Sequence, residues 1–136
     1  MTTVSEVMTA NPVAAQGDDT IQQVASQMQQ GDFGSMPIVD AGKVVGVVTD
    51  RDIAVRAVAK GISGDQPVRE IMSADPVCVA LDCTVQQATQ LMQERQLRRL
   101  YVQDGDKLAG VVALKDVALE VGDQLSGQTL EEISRR

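Results

Sequence analysis

The stretch Gly46–Ile53 reads GVVTDRDI, and sixty-four residues further along the chain Gly110–Val117 reads GVVALKDV. When residues 4–54 are aligned with residues 68–118, this offset holds without a gap, and 19 of the 51 aligned pairs are identical. Agreement over this length without a gap predicts an internal duplication, so each local pattern can be checked in both copies.

Each copy contains the same order of local patterns. A short extended run after a proline, NPVAA or DPVCVA, is followed by an amphipathic segment that begins with Thr-x-x-Gln, the spacing of a helix capping box. Two β-like runs come next, joined by DAGK or DGDK, which are typical of hairpin turns. A final helical segment begins at RDIAVRAVAK or KDVALEVG. The sequence therefore predicts an α+β (mixed α/β) fold with two β-α-β-β-α repeats.

The size of the repeat predicts how the two copies are arranged. A unit of about 60 residues buries only a limited core by itself. We therefore expect two units packed sheet to sheet with pseudo-twofold symmetry, leaving two equivalent clefts. The predicted limits are residues 1–60 for repeat 1, 61–67 for a linker, 68–124 for repeat 2 and 125–136 for a polar C-terminal helix or tail.

Composition argues against several classes of function. The net charge is -7, histidine is absent, and the chain has one Phe and one Tyr, so no nucleic-acid partner is expected. No glycine-rich phosphate loop and no cysteine paired with a base are present, so we expect no enzyme activity. Cys78 and Cys83, without a histidine or a second cysteine pair, predict structural cysteines rather than a zinc site.

The opening MTTVSEVM lacks the basic and apolar regions of a signal peptide, and no run is long and apolar enough to span a membrane. We therefore expect a cytoplasmic protein with no membrane partner, whose cysteines are reduced.

The segment Gly46–Asp52 runs from a predicted strand into a helix, and it allows two interpretations. Thr49 and Asp52 have the spacing of a capping box, so they could act only on the helix start. Alternatively, a helix start favours anions, and a carboxylate there can bind paired hydroxyls such as those of a ribose. The second copy keeps the carboxylate as Asp116 but replaces the hydroxyl with Ala113.

Taken in order, these elements resemble the cystathionine-β-synthase (CBS) domain, and the tandem resembles a Bateman module. The matching elements are the MT or MS…PV opening, the capped helix, the h-P-h-V-D strand and GhhTxxD, over residues 1–122. The resemblance implies a regulatory or sensor module that binds adenosine-containing ligands in the clefts between CBS repeats. AMP, ADP and ATP are typical ligands, S-adenosylmethionine and dinucleotides such as NAD also occur, and no cofactor is required. A homodimer is implied as well, acting on a regulated protein that the sequence does not identify.

The resemblance also implies which residues contact the ligand. Thr49 and Asp52 match the ribose-binding pair of the family, whereas the second copy matches it only at Asp116. Arg98 and Arg99 lie where basic residues of the family often reach phosphates, although surface ion pairing is the alternative interpretation. The implied ligand-binding residues are Val13, Ala14, Gly34, Ser35, Met36, Pro37, Thr49, Asp50, Arg51, Asp52, Val77, Cys78, Arg98, Arg99, Leu100, Lys115 and Asp116.

A CBS scaffold that binds no ligand and acts through protein contacts is the alternative function, because a fold does not determine a function. Thr49, Asp52 and the Arg98–Arg99 pair favour ligand sensing. Ala113, and Tyr101 at the place of a proline in the first copy, favour the scaffold.

Overall fold

The computed structural model describes residues 2–74 and 76–124, and the chain divides into two compact units. The central unit is Val13–Pro76, and the terminal unit combines Met1–Pro12 with Val77–Arg136. The chain therefore passes between the units at Pro12–Val13 and again at Pro76–Val77, which is the same Pro-Val step in both copies of the repeat.

Each copy contains the predicted order of helices and strands, preceded by a short helix and a two-residue strand that the sequence analysis did not predict. The predicted mixed α+β class, with the β-α-β-β-α order in both copies, is confirmed. In chain order the elements are α1 (Val4–Val7), β1 (Thr9–Ala10), β2 (Ala15–Gln16), α2 (Ile21–Gly31), β3 (Ser35–Asp40), β4 (Lys43–Thr49), α3 (Asp50–Asp52), a π-helix (Ile53–Val58), a 3-10 helix (Val68–Glu70), β5 (Ser73–Ala74), β6 (Cys78–Ala80), α4 (Val85–Arg95), β7 (Arg99–Asp104), β8 (Lys107–Ala113) and α5 (Leu114–Gln124).

The strands pair in the same way in both units. In the central unit β3 and β4 form an antiparallel hairpin, β2 runs parallel to β3, and β5 runs antiparallel to β4. In the terminal unit β7 and β8 form the hairpin, β6 runs parallel to β7, and β1 runs antiparallel to β8. Among the described residues, each unit thus holds four paired strands, one of which comes from the opening segment of the other repeat.

The exchanged opening segments also complete the two hydrophobic cores. Val4 is fully buried in the core of the terminal unit, and its counterpart Val68 is fully buried in the core of the central unit. The backbone N–H of Val4 donates to the carbonyl of Cys83 at 2.8 Å, and that of Val68 donates to the carbonyl of Asp19, also at 2.8 Å. Each core is therefore built by both copies of the repeat.

Both predicted capping boxes are confirmed. Thr20 accepts a hydrogen bond from the backbone of Gln23, whose side chain accepts one from the backbone of Thr20, and Thr84 and Gln87 repeat the arrangement at the start of α4. These reciprocal bonds satisfy N–H groups that a helix start otherwise leaves without partners. They begin α2 and α4 at equivalent residues of the two copies.

The segment predicted as a linker, residues 61–67, is held against the start of α2. The carbonyls of Gly64 and Gln66 accept hydrogen bonds from the N–H groups of Gln22 and Ile21, at 2.9 and 3.0 Å. The boundaries of the compact units differ from those of the sequence repeats. The limits given for the repeats stay a prediction.

The predicted polar C-terminal helix, residues 125–136, lies outside the described residues. None of the helices that the structure describes is both long and apolar enough to cross a membrane.

The last helices of the two copies differ in backbone geometry. In the second copy α5 is a single α-helix, whereas in the first copy α3 passes into a π-helix directly after Asp52. The N–H of Ala59 donates to the carbonyl of Ala54, and that of Ile62 donates to Ala57, both at 2.9 Å and five residues apart. The sequence predicts helices at both places but does not distinguish these two geometries.

The glycine that opens GVV in each copy is required by the exchanged segment. A Cβ atom added at Gly46 would lie 2.9 Å from the carbonyl oxygen of Ser73 and 2.6 Å from the sulfur of Met72. At Gly110 it would lie 2.9 Å from the carbonyl oxygen of Thr9 and closer still to the sulfur of Met8. Glycine therefore allows β5 and β1 to approach the hairpins.

We expect Gly46→Ala and Gly110→Ala each to lower the free energy of unfolding by about 1–3 kcal/mol, because the added methyl group forces the paired strand away. Urea unfolding followed by circular dichroism measures the effect. Gly64→Ala is the control, since its nearest neighbour is the Cβ of Gln22 at 3.4 Å, and we expect a change within about 0.5 kcal/mol. Wild-type stability of Gly46→Ala would contradict this account of the glycine.

Candidate functional site

One end of the β3–β4 hairpin gathers predicted ligand-binding residues of the central unit. Ser35 at the start of β3 is the register partner of Thr49 at the end of β4. The N–H of Asp50 donates to the carbonyl of Gly34 at 3.0 Å, which fixes the residue before β3 to the start of α3. We call Gly34–Ser35 together with Thr49–Asp52 the first candidate site.

The equivalent end of the β7–β8 hairpin gathers the corresponding residues of the terminal unit. Arg99 is the register partner of Ala113, and the N–H of Leu114 donates to the carbonyl of Arg98 at 2.7 Å. We call Arg98–Arg99 together with Ala113–Asp116 the second candidate site. The backbone frame of the two sites is therefore the same, and their side chains differ.

In the first candidate site, Thr49 and Asp52 form the capping box that their spacing predicts. The hydroxyl of Thr49 accepts a hydrogen bond from the N–H of Asp52, and the Oδ2 of Asp52 accepts one from the N–H of Thr49, both at 3.0 Å. The capping interpretation is thus confirmed. Both side chains can still form hydrogen bonds with a ligand, because the hydroxyl of Thr49 keeps its own hydrogen to donate and a carboxylate has about four acceptor positions.

The second carboxylate oxygen of Asp52 faces a residue that the sequence analysis missed. Oδ1 lies 3.6 Å from the Nε of Arg56, and the Nη1 of Arg56 donates to the carbonyls of Ile71 and Met72 at 3.4 Å. The i,i+4 spacing of Asp52 and Arg56 was the available signal, since such pairs are neighbours on a helix surface. The carbonyl contacts join residues fifteen and sixteen apart, and no local spacing indicates them.

The second candidate site cannot form the same capping box, because Ala113 has no hydroxyl to accept the bond. Leu114 replaces the acidic Asp50 at the start of the helix. At the place of Arg56 stands Glu120, whose Oε1 accepts a hydrogen bond from the hydroxyl of Thr2 at 2.9 Å. The two copies thus carry opposite charges at this one position of the last helix.

The charges of the two sites differ in sign. The first site carries one cation, Arg51, and two anions, whereas the second carries three cations and the single anion Asp116. Arg98, Arg99 and Lys115 are exposed. Since the protein as a whole is acidic, the second site is a local concentration of positive charge that favours anionic groups.

Three of the predicted ligand-binding residues are buried, and two of them belong to the hydrophobic cores. The side chains of Met36 and Leu100 are fully buried in the cores of their units, and Pro37 is buried beside Met36 in β3. A ligand contact at these positions would therefore involve the backbone rather than the side chain.

The four remaining predicted residues lie on the chain around β2 and β6. Val13 and Ala14 precede β2, and the side chain of Val13 is half exposed. Val77 precedes β6, and Cys78 in β6 is the register partner of Tyr101. Tyr101 aligns with Pro37 of the first copy, and both residues are buried.

Cys78 and Cys83 are both half-buried. Burial raises the pKa of the Cys78 thiol, and burial together with the charge of Asp82 raises the pKa of the Cys83 thiol. Both thiols are therefore protonated at neutral pH, and a protonated thiol is a poor nucleophile and a poor metal ligand. Within residues 2–74 and 76–124, no three or more metal-ligating side chains are grouped to hold an ion.

The CBS domain family model matches residues 4–58 and 68–123 of the chain. Over 137 aligned residues the chain is 38% identical to the CBS domain-containing protein YhcV of Bacillus subtilis (strain 168), and the alignment covers 100% of this chain and 98% of that protein.

Solved structures are also similar to the chain, and two of them are complexes with a ligand. The CBS domain pair of protein MJ0100, in complex with 5'-methylthioadenosine and S-adenosyl-L-methionine, has a TM-score of 0.76 and 25% identity, covering 91% of this chain and 98% of that one. The structure of CBSX2 in complex with AMP has a TM-score of 0.78 and 22% identity, covering 93% and 99%. At that identity the likeness to CBSX2 shows a shared fold.

We expect Thr49→Ala to lower the free energy of unfolding by about 1 kcal/mol, because the helix start loses its cap. Ala113→Thr is the matched reverse change, and we expect it to raise stability by about 0.5–1 kcal/mol, since Asp116 supplies the second member of the box. Thermal and urea unfolding measure both variants. A Thr49→Ala protein as stable as wild type would show that this capping box contributes nothing to stability.

Proposed function

The chain belongs to the CBS domain family, and on that premise we propose that it is a regulatory module that binds adenosine-containing small molecules. The observation that carries the proposal is the end of the β3–β4 hairpin. There the register of Ser35 with Thr49 and the bond from Asp50 to Gly34 hold Ser35 next to Thr49, whose backbone N–H donates to the carboxylate of Asp52. The MJ0100 CBS pair binds two adenosyl compounds, which supports the ligand class. AMP, ADP, ATP and S-adenosylmethionine are the ligands we propose, with NAD as a further member of the class.

The first candidate site suits a ribose. The 2'- and 3'-hydroxyls of a nucleoside are adjacent donors, and a carboxylate accepts both. The side chain of Asp52 is only 14% exposed, so water competes weakly for its oxygens. Hydrogen bonds to a charged group contribute about 1.5–3 kcal/mol, which is enough to select a sugar with both hydroxyls.

The ligand-free scaffold is a second candidate function, and the capping box favours it. Thr49 and Asp52 satisfy each other's backbone N–H groups. Their presence therefore has a structural explanation that requires no ligand. The scaffold acts through protein contacts and predicts that no adenosine compound binds.

Titration of the purified protein with adenosine, AMP, ATP, NAD and S-adenosylmethionine tests the proposal. We expect at least one of them to raise the melting temperature, because a ligand that binds the folded state stabilises it. Asp52→Asn keeps an oxygen for the cap but removes the charge, and we expect it to weaken binding about tenfold, that is by about 1.4 kcal/mol.

Asp116→Asn is the matched control, and we expect a loss of affinity below about threefold, since its site lacks the hydroxyl partner. If no compound binds at millimolar concentration, the scaffold is the correct function. Equal losses in the two variants would contradict the unequal sites.

We further propose that Arg98 and Arg99 bind the phosphates of a nucleotide at the second candidate site. The double variant Arg98→Ala/Arg99→Ala should then lose affinity for AMP and more for ATP, while adenosine binds as in wild type. Exposed ionic contacts are screened over about 8 Å at physiological ionic strength, so the difference should shrink as salt is added. Calorimetry at low and high salt measures all three ligands.

Arg95→Ala is the control for the arginines, because Arg95 is exposed in the last turn of α4, close in sequence to the pair but outside both sites. It should leave all three affinities unchanged. Wild-type ATP affinity in a folded double variant would assign Arg98 and Arg99 to the surface.

We also propose that the module is a homodimer with an aliphatic interface. Val55 and Val58 on the π-helix are 48% and 73% exposed, and Leu119 on α5 is 58% exposed. Val55 and Leu119 occupy equivalent positions of the two copies. Exposed apolar side chains on equivalent helices favour association between copies of one chain.

Sedimentation at micromolar concentration should give twice the chain mass for the wild type. We expect Val58→Asp/Leu119→Asp to sediment as a monomer, because two charges would be buried without partners. Gln27→Asp places a charge on the exposed face of α2 and should remain dimeric. A monomeric wild type would remove the proposed dimer.

A further inference from the structure

Arg56 connects two parts of the central unit that are distant in sequence. Its Nε lies 3.6 Å from the Oδ1 of Asp52, inside the first candidate site. Its Nη1 donates to the carbonyls of Ile71 and Met72, both at 3.4 Å. One guanidinium therefore contacts the predicted ribose-binding carboxylate and the opening segment of the second repeat.

The opening segment is itself firmly placed in the central unit. Ile71 is 1% exposed in the hydrophobic core, and Met72 lies over Gly46. The next two residues form β5, which pairs with the strand that ends at the first candidate site. A displacement of Asp52 can thus be transmitted to this segment through the side chain of Arg56 rather than along the backbone.

The backbone around Arg56 has a geometry that its counterpart in the second copy lacks. Arg56 lies in the π-helix Ile53–Val58, whereas the equivalent residues of the second copy lie in the α-helix α5. π-helical turns are rare and are frequent at functional sites.

The second copy reverses the charge at this position. Glu120 stands in place of Arg56 and accepts its hydrogen bond from the hydroxyl of Thr2. Asp116 and Glu120 are four residues apart on α5, and like charges at this spacing repel each other. The second copy therefore has a carboxylate at the position where the first copy has the cation that contacts its aspartate.

We propose that Arg56 is a positioning residue that orients the carboxylate of Asp52 and couples ligand binding at the first candidate site to the order of residues 71–74. The ligand part rests on the proposed function, whereas the link from Arg56 to residues 71–74 exists in the ligand-free protein. Coupling is reciprocal: a ligand that fixes Asp52 also fixes Arg56 and the segment it holds.

Amide hydrogen exchange of the ligand-free protein, resolved by residue with NMR, tests the link. We expect Arg56→Gln to speed exchange at residues 71–74 about fivefold to tenfold, because local opening becomes easier. The equivalent residues 7–10 should exchange at the wild-type rate. Arg56→Lys keeps the charge but not the planar group that reaches several acceptors, and it should restore the rate only in part.

Glu120→Gln is the matched control and should leave residues 71–74 unchanged. Wild-type exchange at these residues in Arg56→Gln would overturn the link, as would an equal increase over the whole protein, which would mean a general loss of stability. Circular dichroism verifies that each variant is folded.

Calorimetric titration with adenosine and AMP tests the ligand part. We expect Arg56→Gln to weaken both by the same factor, about fivefold, because Arg56 acts through Asp52 rather than on a phosphate. A larger loss for AMP than for adenosine would make Arg56 a direct phosphate ligand and overturn its positioning role. If neither compound binds the wild type, the proposed function fails, and the exchange measurement alone decides whether Arg56 holds residues 71–74.

Discussion

Each hydrophobic core is completed by the opening segment of the other repeat. The backbone bonds from Val68 to Asp19 and from Val4 to Cys83 mark this exchange at equivalent positions. The valine that donates each bond is fully buried in a core. The rest of the architecture depends on it, because the exchanged segment also supplies a strand to each hairpin. Glycine in both GVV motifs is a direct consequence, since a side chain at that position would collide with the incoming strand.

On this shared frame the two copies have diverged at the hairpin ends. Both copies keep the bond from the first residue of the last helix to the carbonyl before the hairpin strand, with Asp50 bonded to Gly34 and Leu114 bonded to Arg98. The side chains on the frame differ in charge and in hydrogen-bonding groups. A constant backbone with variable side chains allows one duplicated fold to carry two sites of different chemistry.

Much of this organisation could be predicted from local sequence patterns. The capping boxes at Thr20 and Thr84 and the hairpins depend on residues close together in the chain, so local spacing is sufficient for them. The duplication was found by comparing the two halves of the sequence. The exchange of opening segments could not be predicted in this way, because periodicity identifies a strand but not its partner. For the same reason the contacts of Arg56 with Ile71 and Met72 have no signal in the sequence.

The candidate sites were also predictable only in part. Thr49 and Asp52 were identified by spacing, and the structure places them beside Gly34 and Ser35 as the hairpin requires. Burial was the weaker part of the prediction, since Met36 in β3 alternates with Ser35 and points into the core. The π-helix was missed because a hydrophobic pattern of six residues does not separate 3.6 residues per turn from a wider turn.

The exchange of opening segments also bears on how such a chain could arise. A single repeat would lack the residue that Val68, from the other repeat, supplies to the core. It could close that core only by taking the segment from a second molecule, as domain-swapped dimers do. Folding would then depend on protein concentration. Tandem fusion places both segments in one chain at a high effective concentration, so that a bimolecular assembly becomes an intramolecular one, and the two copies are afterwards free to change independently.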